Sequence, residues 1–300
     1  MSDAPRAAVV VVSFEARDSL LASLAALRTH ASFPLEIVVV DNASADGSAD
    51  AVRAAHPEAL VVANPENVGF ARACNQGWRA SRAPHVLFLN PDAEVTPGSV
   101  EVLVGLLESR PDVGAAGPLT RSADGAIQVS TGPDLALLAE GRQRRLVLGV
   151  ARREAPALAE AEALHSREHE PPWVSGSCLV ARRAALVAVS GFDERFFLYE
   201  EDADLCRRLR AAGWRVVFTP RAEVRHHLGR SMARVPRRAR FEYDRSHLLY
   251  YRKHNGPLSQ AALRVMLAAR GAASWLRGLT SGTAEDRADG AALVRLALSS

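Results

Sequence analysis

The stretch Leu87–Val95, LFLNPDAEV, decides the fold. Leu87, Phe88 and Leu89 end an apolar run suited to a strand buried on both faces. Asn90, Pro91 and Asp92 break it, because proline has no N–H to give to a sheet ladder. A carboxylate just past a strand's C-terminal end lies where open α/β sheets bind ligands. An Asp there can hold a divalent cation through oxygen, and a cation can carry the phosphates of a nucleotide. The plainer reading is an Asx turn after a strand, and the stretch alone favours it.

Upstream, the chain repeats the same rhythm. Ala8–Val12 is a continuous apolar β-branched run, a buried strand. Asp18 or Ser19 caps the next helix, with Leu20, Leu24 and Leu27 on one face. Leu35–Val40 is a second strand, ending in Asp41 and Asn42. Asp46 or Ser48 starts a helix that stops near Pro57, and Leu60–Ala63 is a third strand. Phe70, Cys74 and Trp78 recur at helical spacing over about 69–81, and His85–Leu89 is the fourth strand. Thr96 and Pro97 form an N-cap and N1 pair for a helix whose buried face is Val100, Leu103 and Leu107. This alternation predicts an α/β fold: a Rossmann-like, mostly parallel central sheet with helices on both faces.

Downstream the pattern weakens from Thr120 to Pro172, an arginine-rich insertion with one short helix at Ala155–Leu164. Trp173–Val180 resumes as a strand with Ser175, Gly176 and Ser177 at its centre, small residues that leave room for a ligand. Phe196–Tyr199 leads into EEDADLCRRL, a helix anchored by Leu205 and Leu209 and ended by Gly213. Trp214–Phe218 is a further strand. The tail from Pro257 is helical, with Arg270 and Arg277 on one face.

Composition sets limits. The 300 residues are 48% apolar and carry a formal charge of only +3, yet Arg221–Lys253 is locally +7. Three widely spaced cysteines, Cys74, Cys178 and Cys206, match no zinc or redox spacing and suit a reducing cytoplasm. No leader pattern opens the chain and no apolar run reaches a membrane span of about 18 residues. The expectation is a cytoplasmic protein with at most a peripheral contact at the inner face of the membrane. VVVVSFEARDSLL has no glycine, which argues against a dinucleotide oxidoreductase and a P-loop enzyme.

Four groups of residues could carry chemistry. Asp41 and Asp92 both end strands on one sheet edge, and Asp41 with Asn42 could hydrogen-bond a base or a ribose. Their loop, DNASADGS, reads equally well as satisfying its own backbone. Glu200, Glu201, Asp202 and Asp204 crowd one helix start. One acid is enough for a cap, and crowding raises a pKa toward that of a general base. His226 and His227 close a short strand-like AEVRHH and are metal-ligand types, though a surface pair is the plainer reading. The arginines from Arg230 to Arg252, with Lys253, suit a diphosphate held bidentately or a solvated face; no nucleic-acid motif accompanies them.

In order, VVVVSF, VVVDNASADGS, NPENVGFARACNQG, LFLNPDAEV, WVSGSCLVARR, GFDERFFLYEEDADLCRRLRAAGWRV and RHHLGRS resemble the inverting family 2 glycosyltransferases of the GT-A fold, in their rhamnosyltransferase-like branch. The resemblance spans about Val9 to Lys253. It implies a GT-A domain over 1–256, with the insertion at about 120–172, and a C-terminal helical tail over 257–300. It implies that Ser13, Asp41, Asn42, Asn67, Gly69, Arg72 and Asn90 line a nucleotide site. Trp173 and Gly176 would face the acceptor. Asp92, last acid of a DxD motif that here begins with Asn90, and His226, with His227 as the alternative, would hold Mg²⁺ or Mn²⁺. Asp202, with Glu201 beside it, would be the catalytic base. The implied reaction moves a sugar, plausibly L-rhamnose, from a dTDP- or UDP-sugar to a glycan or lipid-linked acceptor, as in cell-wall polysaccharide assembly. A loop, Arg230–Arg240 or the insertion, would close over the reactants. A sugar-phosphate nucleotidyltransferase and a non-catalytic binder of anionic surfaces are the alternatives.

Overall fold

The computed structural model describes residues 5–227, 236–280 and 283–299. Gly229, Arg230 and Arg234, and with them the first part of the expected closing loop, lie outside the described residues.

Strand β1 (Ala7–Ser13) is buried at every position. Its side chains alternate between two cores. Val10 and Val12 pack with Cys74 and Trp78 on one face of the sheet. Val9 and Val11 pack with Leu20, Leu24 and Leu27 on the other. A run apolar at every position is what a strand covered on both faces requires, and each buried valine contributes roughly 1.5–3 kcal/mol. Helix α1 (Arg17–His30) carries those leucines. Strand β2 (Leu35–Asp41) pairs parallel to β1, and after α2 (Ser48–Ala55), β3 (Leu60–Ala63) pairs parallel to β2. Helix α3 (Phe70–Ala80) crosses β1 at Gly77, where a Cβ would fall 2.3 Å from a Val10 methyl. Strand β4 (His85–Leu89) takes the other side of β1. Then come β5 (Ala93–Val95), α4 (Ser99–Ser109) and β6 (Val113–Arg121).

The starts of α1 and α4 differ from the sequence reading, and that of α2 agrees with it. Helix α1 begins behind Ala16, so Asp18 sits in its first turn. Helix α2 begins at Ser48, whose N–H donates to Asp46 Oδ1 at 3.0 Å. Helix α4 begins behind Gly98, held at φ +79°, and not at Thr96–Pro97. The hydroxyls of Thr96 and Ser99 instead donate to the Glu223 carbonyl, at 2.9 and 2.8 Å.

The insertion holds more than one short helix: β7 (Ile127–Gln128), β8 (Thr131–Gly132), α5 (Leu137–Ala151) and α6 (Ala155–His165). Helix α5 buries only Leu146 and Gly149, so it leaves almost no apolar periodicity to read. The expected strand Trp173–Val180 is two, β9 (Trp173–Val174) and β10 (Cys178–Arg182), parted at 175–177. After α7 (Arg183–Ala188) and α8 (Glu201–Ala211), β11 (Arg215–His226) joins the expected strand ending at Phe218 and the strand-like AEVRHH into one element. Its register shifts between Thr219 and Glu223, around Pro220, which has no N–H for the ladder. Helices α9 (Pro236–His254), α10 (Pro257–Thr280) and α11 (Ala284–Leu298) complete the chain.

The main sheet runs β3-β2-β1-β4-β10-β6-β11-β5, with β7 on β6. Strand β10 is antiparallel to β4 and β6, and β5 to β11; every other neighbour along the order is parallel. Those directions bring Asp41, Asn90, the start of β10 and His226 to one sheet edge.

Candidate active site

Two parallel strand ends open the site. Ser13 and Asp41 are register partners at the ends of β1 and β2, both buried. The Ser13 hydroxyl and Asp41 Oδ1 are buried without a hydrogen-bond partner, while Asp41 Oδ2 accepts from the Ser44 N–H at 3.1 Å. Unpaired polar atoms in a dry edge cost about 1–3 kcal/mol each, and a ligand's donors would relieve that cost.

Beside them lies a cavity of about 190 Å³. Asn42, Asn67, Gly69 and Asn90 line it, together with Phe197 and Arg238. Asn42 Nδ2 donates to the Gly69 carbonyl, and the Gly69 N–H donates to Asn67 Oδ1, so the three form one wall. Gly69 has φ +87°, and a Cβ there would meet the Phe197 carbonyl oxygen at 2.6 Å. Only glycine lets the start of α3 approach the loop before α8 this closely. Arg72 stands apart: it is exposed on α3, 3.8 Å from Glu194.

Asn90 links this cavity to the next group. Its N–H donates to the Ser177 carbonyl at 2.9 Å, and its Nδ2 lies 3.3 Å from His226 Nε2. The same Nε2 is 3.2 Å from Asp92 Oδ1. Gln128 fixes the ring. Its Nε2 donates to the His226 carbonyl at 2.6 Å, which turns its Oε1 toward His226 Nδ1 at 3.1 Å. Nδ1 must therefore donate, and a neutral His226 presents its lone pair at Nε2, toward Asp92. That pair of donor atoms suits a hard divalent ion that takes its other ligands from phosphate oxygens and water. Among the described residues no group of three or more His, Cys, Asp or Glu side chains could hold a metal by itself. His227 turns away, with its Nε2 3.1 Å from Glu94 Oε1 and its N–H donating to the Asp92 carbonyl at 2.9 Å.

The break between β9 and β10 reaches the acidic helix. The Gly176 N–H donates to Asp202 Oδ2 at 2.7 Å, and the Ala203 N–H donates to Oδ1 at 2.8 Å. Burial pushes the Asp202 carboxyl above the usual carboxylate range, and these backbone donors pull it partly back. Glu201 behaves differently. It is buried, its Oε2 has no partner, and burial raises its pKa well above the usual range, with Asp202 adding to the effect. It helps raise the buried thiol of Cys74, so it lies on the core side of α8. Trp173 donates from Nε1 to the Pro133 carbonyl at 2.9 Å.

A second cavity, about 390 Å³, lies on the insertion side. His226, Gln128, Ser175 and Ser177 line it, with Val147 and Val150 of α5 and with Asp124 and Arg153. Asn90, Asp92 and His226 thus stand between two cavities, tied to Asp202 through the 175–177 loop.

The sequence reading missed the support beneath α8. Tyr199 and Glu200 both have positive φ, +71° and +62°, a costly pair for residues with side chains. Three contacts from α9 hold them. Ser246 Oγ donates to the Leu198 carbonyl at 2.7 Å, Tyr243 packs edge-on against Tyr199, and His247 Nδ1 is 2.5 Å from Glu200 Oε1. His247 Nε2 reaches Glu140 of α5 at 3.0 Å. Burial opposes charge on His247, yet the two carboxylates outweigh it and raise its pKa to about 10. Tyr243, His247 and Tyr251 share a helical face at i, i+4 and i+8, the one sign of this contact in the sequence. Gln128 left no such sign.

Comparison with known proteins decides the family. A model described as Glycosyl transferase family 2 matches residues 8–186. The chain belongs to glycosyl transferase family 2. As a family 2 glycosyltransferase it moves a sugar from a nucleotide-sugar donor. A second model, Glycosyl transferase family group 2, matches residues 147–282. The N-acetylglucosaminyl-diphospho-decaprenol L-rhamnosyltransferase of Mycobacterium tuberculosis is 35% identical over 239 residues, covering 76% of this chain and 78% of that protein. Among solved structures, the mannosyltransferase PcManGT of Pyrobaculum calidifontis, in complex with GDP-Man and Mn²⁺, superposes with a TM-score of 0.60 at 20% identity over 98% of this chain and 86% of that one. S. aureus TarS in complex with UDP-GlcNAc gives 0.55 at 17% over 88% and 71%. The mixed sheet with its flanking and C-terminal helices is the GT-A glycosyltransferase fold.

Proposed function

We propose that this glycosyltransferase moves L-rhamnose from a nucleoside-diphosphate donor to a hydroxyl of a lipid-linked saccharide, with inversion at the sugar carbon. The 35% match over 239 residues to a rhamnosyltransferase named for N-acetylglucosaminyl-diphospho-decaprenol carries the choice of sugar and acceptor. The two cavities either side of Asp92 and His226 support the division into a donor and an acceptor side.

In this reading Ser13, Asp41 and Asn42 bind the nucleoside, and Asn67, Gly69 and Asn90 wall its pocket. Asp92 and His226 would hold Mg²⁺ or Mn²⁺, which offsets the charge growing on the departing diphosphate. Gln128 keeps His226 in the ligating tautomer. Asp202 takes the proton from the acceptor hydroxyl as it attacks the face opposite the leaving group. The 175–177 loop aims that carboxylate, and Trp173 and Gly176 stand on the acceptor side. Glu201, turned into the core, has a supporting role and no proton to move. Arg72, paired with Glu194, has no direct part.

A panel of nucleotide sugars with Mn²⁺ tests the proposal. Release of dTDP from dTDP-L-rhamnose, dependent on a lipid-linked saccharide, is expected. Faster turnover of another donor would overturn the choice of sugar, and pyrophosphate as product would point to nucleotidyl transfer.

A further inference from the structure

Helix α10 has an outer face that the site does not explain. Leu258, Val265, Leu276 and Leu279 lie on it at intervals of 7, 11 and 3 residues, with exposed Ala261, Ala269 and Ala272 between them. At 100° per residue these seven positions form one stripe, about 32 Å long. The large ones are at least half exposed: Leu258 86%, Val265 68%, Leu276 56% and Leu279 50%. Trp275 and Met266 flank the stripe, 42% and 58% exposed. The opposite face is spent on the fold. Leu263 and Leu267 are buried, and Gly271 meets Gly290 of α11 so closely that a Cβ would fall 2.8 Å from the Gly290 carbonyl oxygen.

The charges that α10 itself carries have one sign: Arg264, Arg270 and Arg277, with no acid, Arg270 being paired with Asp244 of α9. On the Arg264 flank, a cavity of about 320 Å³ opens between α9 and the C-terminal helices. Arg195, Arg245, Arg252 and Arg264 line it, with Leu248 and Leu249, and among the described residues no carboxylate does. Asp193 pairs with Arg195 and Glu242 with Arg245, both from outside the lining. Among the described residues no helix is long and apolar enough to cross a membrane. An apolar stripe between cationic flanks, with a tryptophan at its edge, is the pattern of a helix that lies in a membrane interface. Two copies paired through this stripe would set arginine against arginine, whereas an anionic headgroup layer complements both flanks.

We propose that the outer face of α10 and the arginine-lined cavity beside it form a docking surface for an anionic lipid bilayer. The helix lies in the plane of the interface, its leucines among the upper acyl chains, and the cavity takes a headgroup phosphate. This surface is separate from the sugar-transfer site and does not depend on which sugar is moved.

Co-sedimentation of the full chain with phosphatidylcholine vesicles, with and without phosphatidylglycerol, tests it. Binding is expected only with phosphatidylglycerol, and salt should weaken it. Val265→Asp with Leu276→Asp should weaken binding at least about tenfold, and so should Arg245→Glu with Arg252→Glu. Because the altered side chains are outside the donor cavity, the thermal shift given by nucleoside diphosphate with Mn²⁺ should be retained, which separates a lost surface from a lost fold. Equal binding to pure phosphatidylcholine, no binding to either vesicle, or unchanged binding by the variants would overturn the proposal. So would a wild-type dimer, seen by light scattering, that the aspartate pair converts to monomer.

Discussion

The Gly176 amide donates to Asp202 Oδ2 at 2.7 Å, and a Cβ on Gly176 would stand 3.3 Å from the Asp202 Cβ. The loop and the carboxylate are in contact, with no room for a methyl group unless one of them moves. Gly176→Ala should therefore displace the carboxylate by a few tenths of an ångström. Sugar transfer should fall about 10- to 100-fold while nucleotide affinity and thermal midpoint barely change. Steady-state kinetics with calorimetric titration of the nucleoside diphosphate checks this.

Gln128 holds one nitrogen of His226 so that the other faces Asp92. Gln128→Leu should lower Mn²⁺ affinity, measured by electron paramagnetic resonance with nucleoside diphosphate present, by about 10- to 100-fold. Gln128→Glu keeps an acceptor for Nδ1 and should recover most of the loss. Unchanged affinity in the leucine variant would remove Gln128 from this role.

His247 sits between Glu140 and Glu200, and its pKa rises from 6.5 to about 10. A base that is more readily protonated when folded stabilises the fold fully below its unfolded pKa. That contribution fades as pH climbs from about 6.5 toward 10. The thermal midpoint should thus fall over this window, and His247→Gln should flatten that slope. The contact also braces Tyr199 and Glu200 in their positive-φ conformation, so the variant should lose transfer rate as well.

Asp204 is fully buried and meets Arg208, Lys253 and His254, joining α8 to α9. Asp204→Ala leaves Arg208, Lys253 and His254 without their carboxylate, and should cost about 3–5 kcal/mol in denaturant unfolding. A loss under about 1 kcal/mol would mean the network is solvated.

The sequence made the parallel half of the sheet legible because its strands are buried on both faces. Val9 to Val12 must all be apolar when alternate side chains enter different cores. That Trp214–Phe218 and the strand-like AEVRHH form one strand, β11, was not legible, since Pro220 stands between them. Helix α5 was hidden for a related reason: it buries too little to impose a period. At the site, Asp41, Asn90, Asp92 and Asp202 stood out because an acid or amide at a strand end or helix start is chemically conspicuous. Glu201 and Asp202 are neighbouring acids in the sequence, and the 100° turn between adjacent helical residues sets one against the Gly176 amide and the other toward the core. Gln128 and Glu140 were invisible because their partners lie about a hundred residues away.

The central claim is that Asp202 is the base. Rapid-mix kinetics of Asp202→Asn, with donor, acceptor and Mn²⁺ saturating, tests it most directly. The amide keeps the shape and the acceptor for the Gly176 N–H but cannot take a proton. Turnover should fall by about 10²- to 10⁴-fold with donor affinity intact. Turnover within a few-fold of the unaltered enzyme would contradict the assignment.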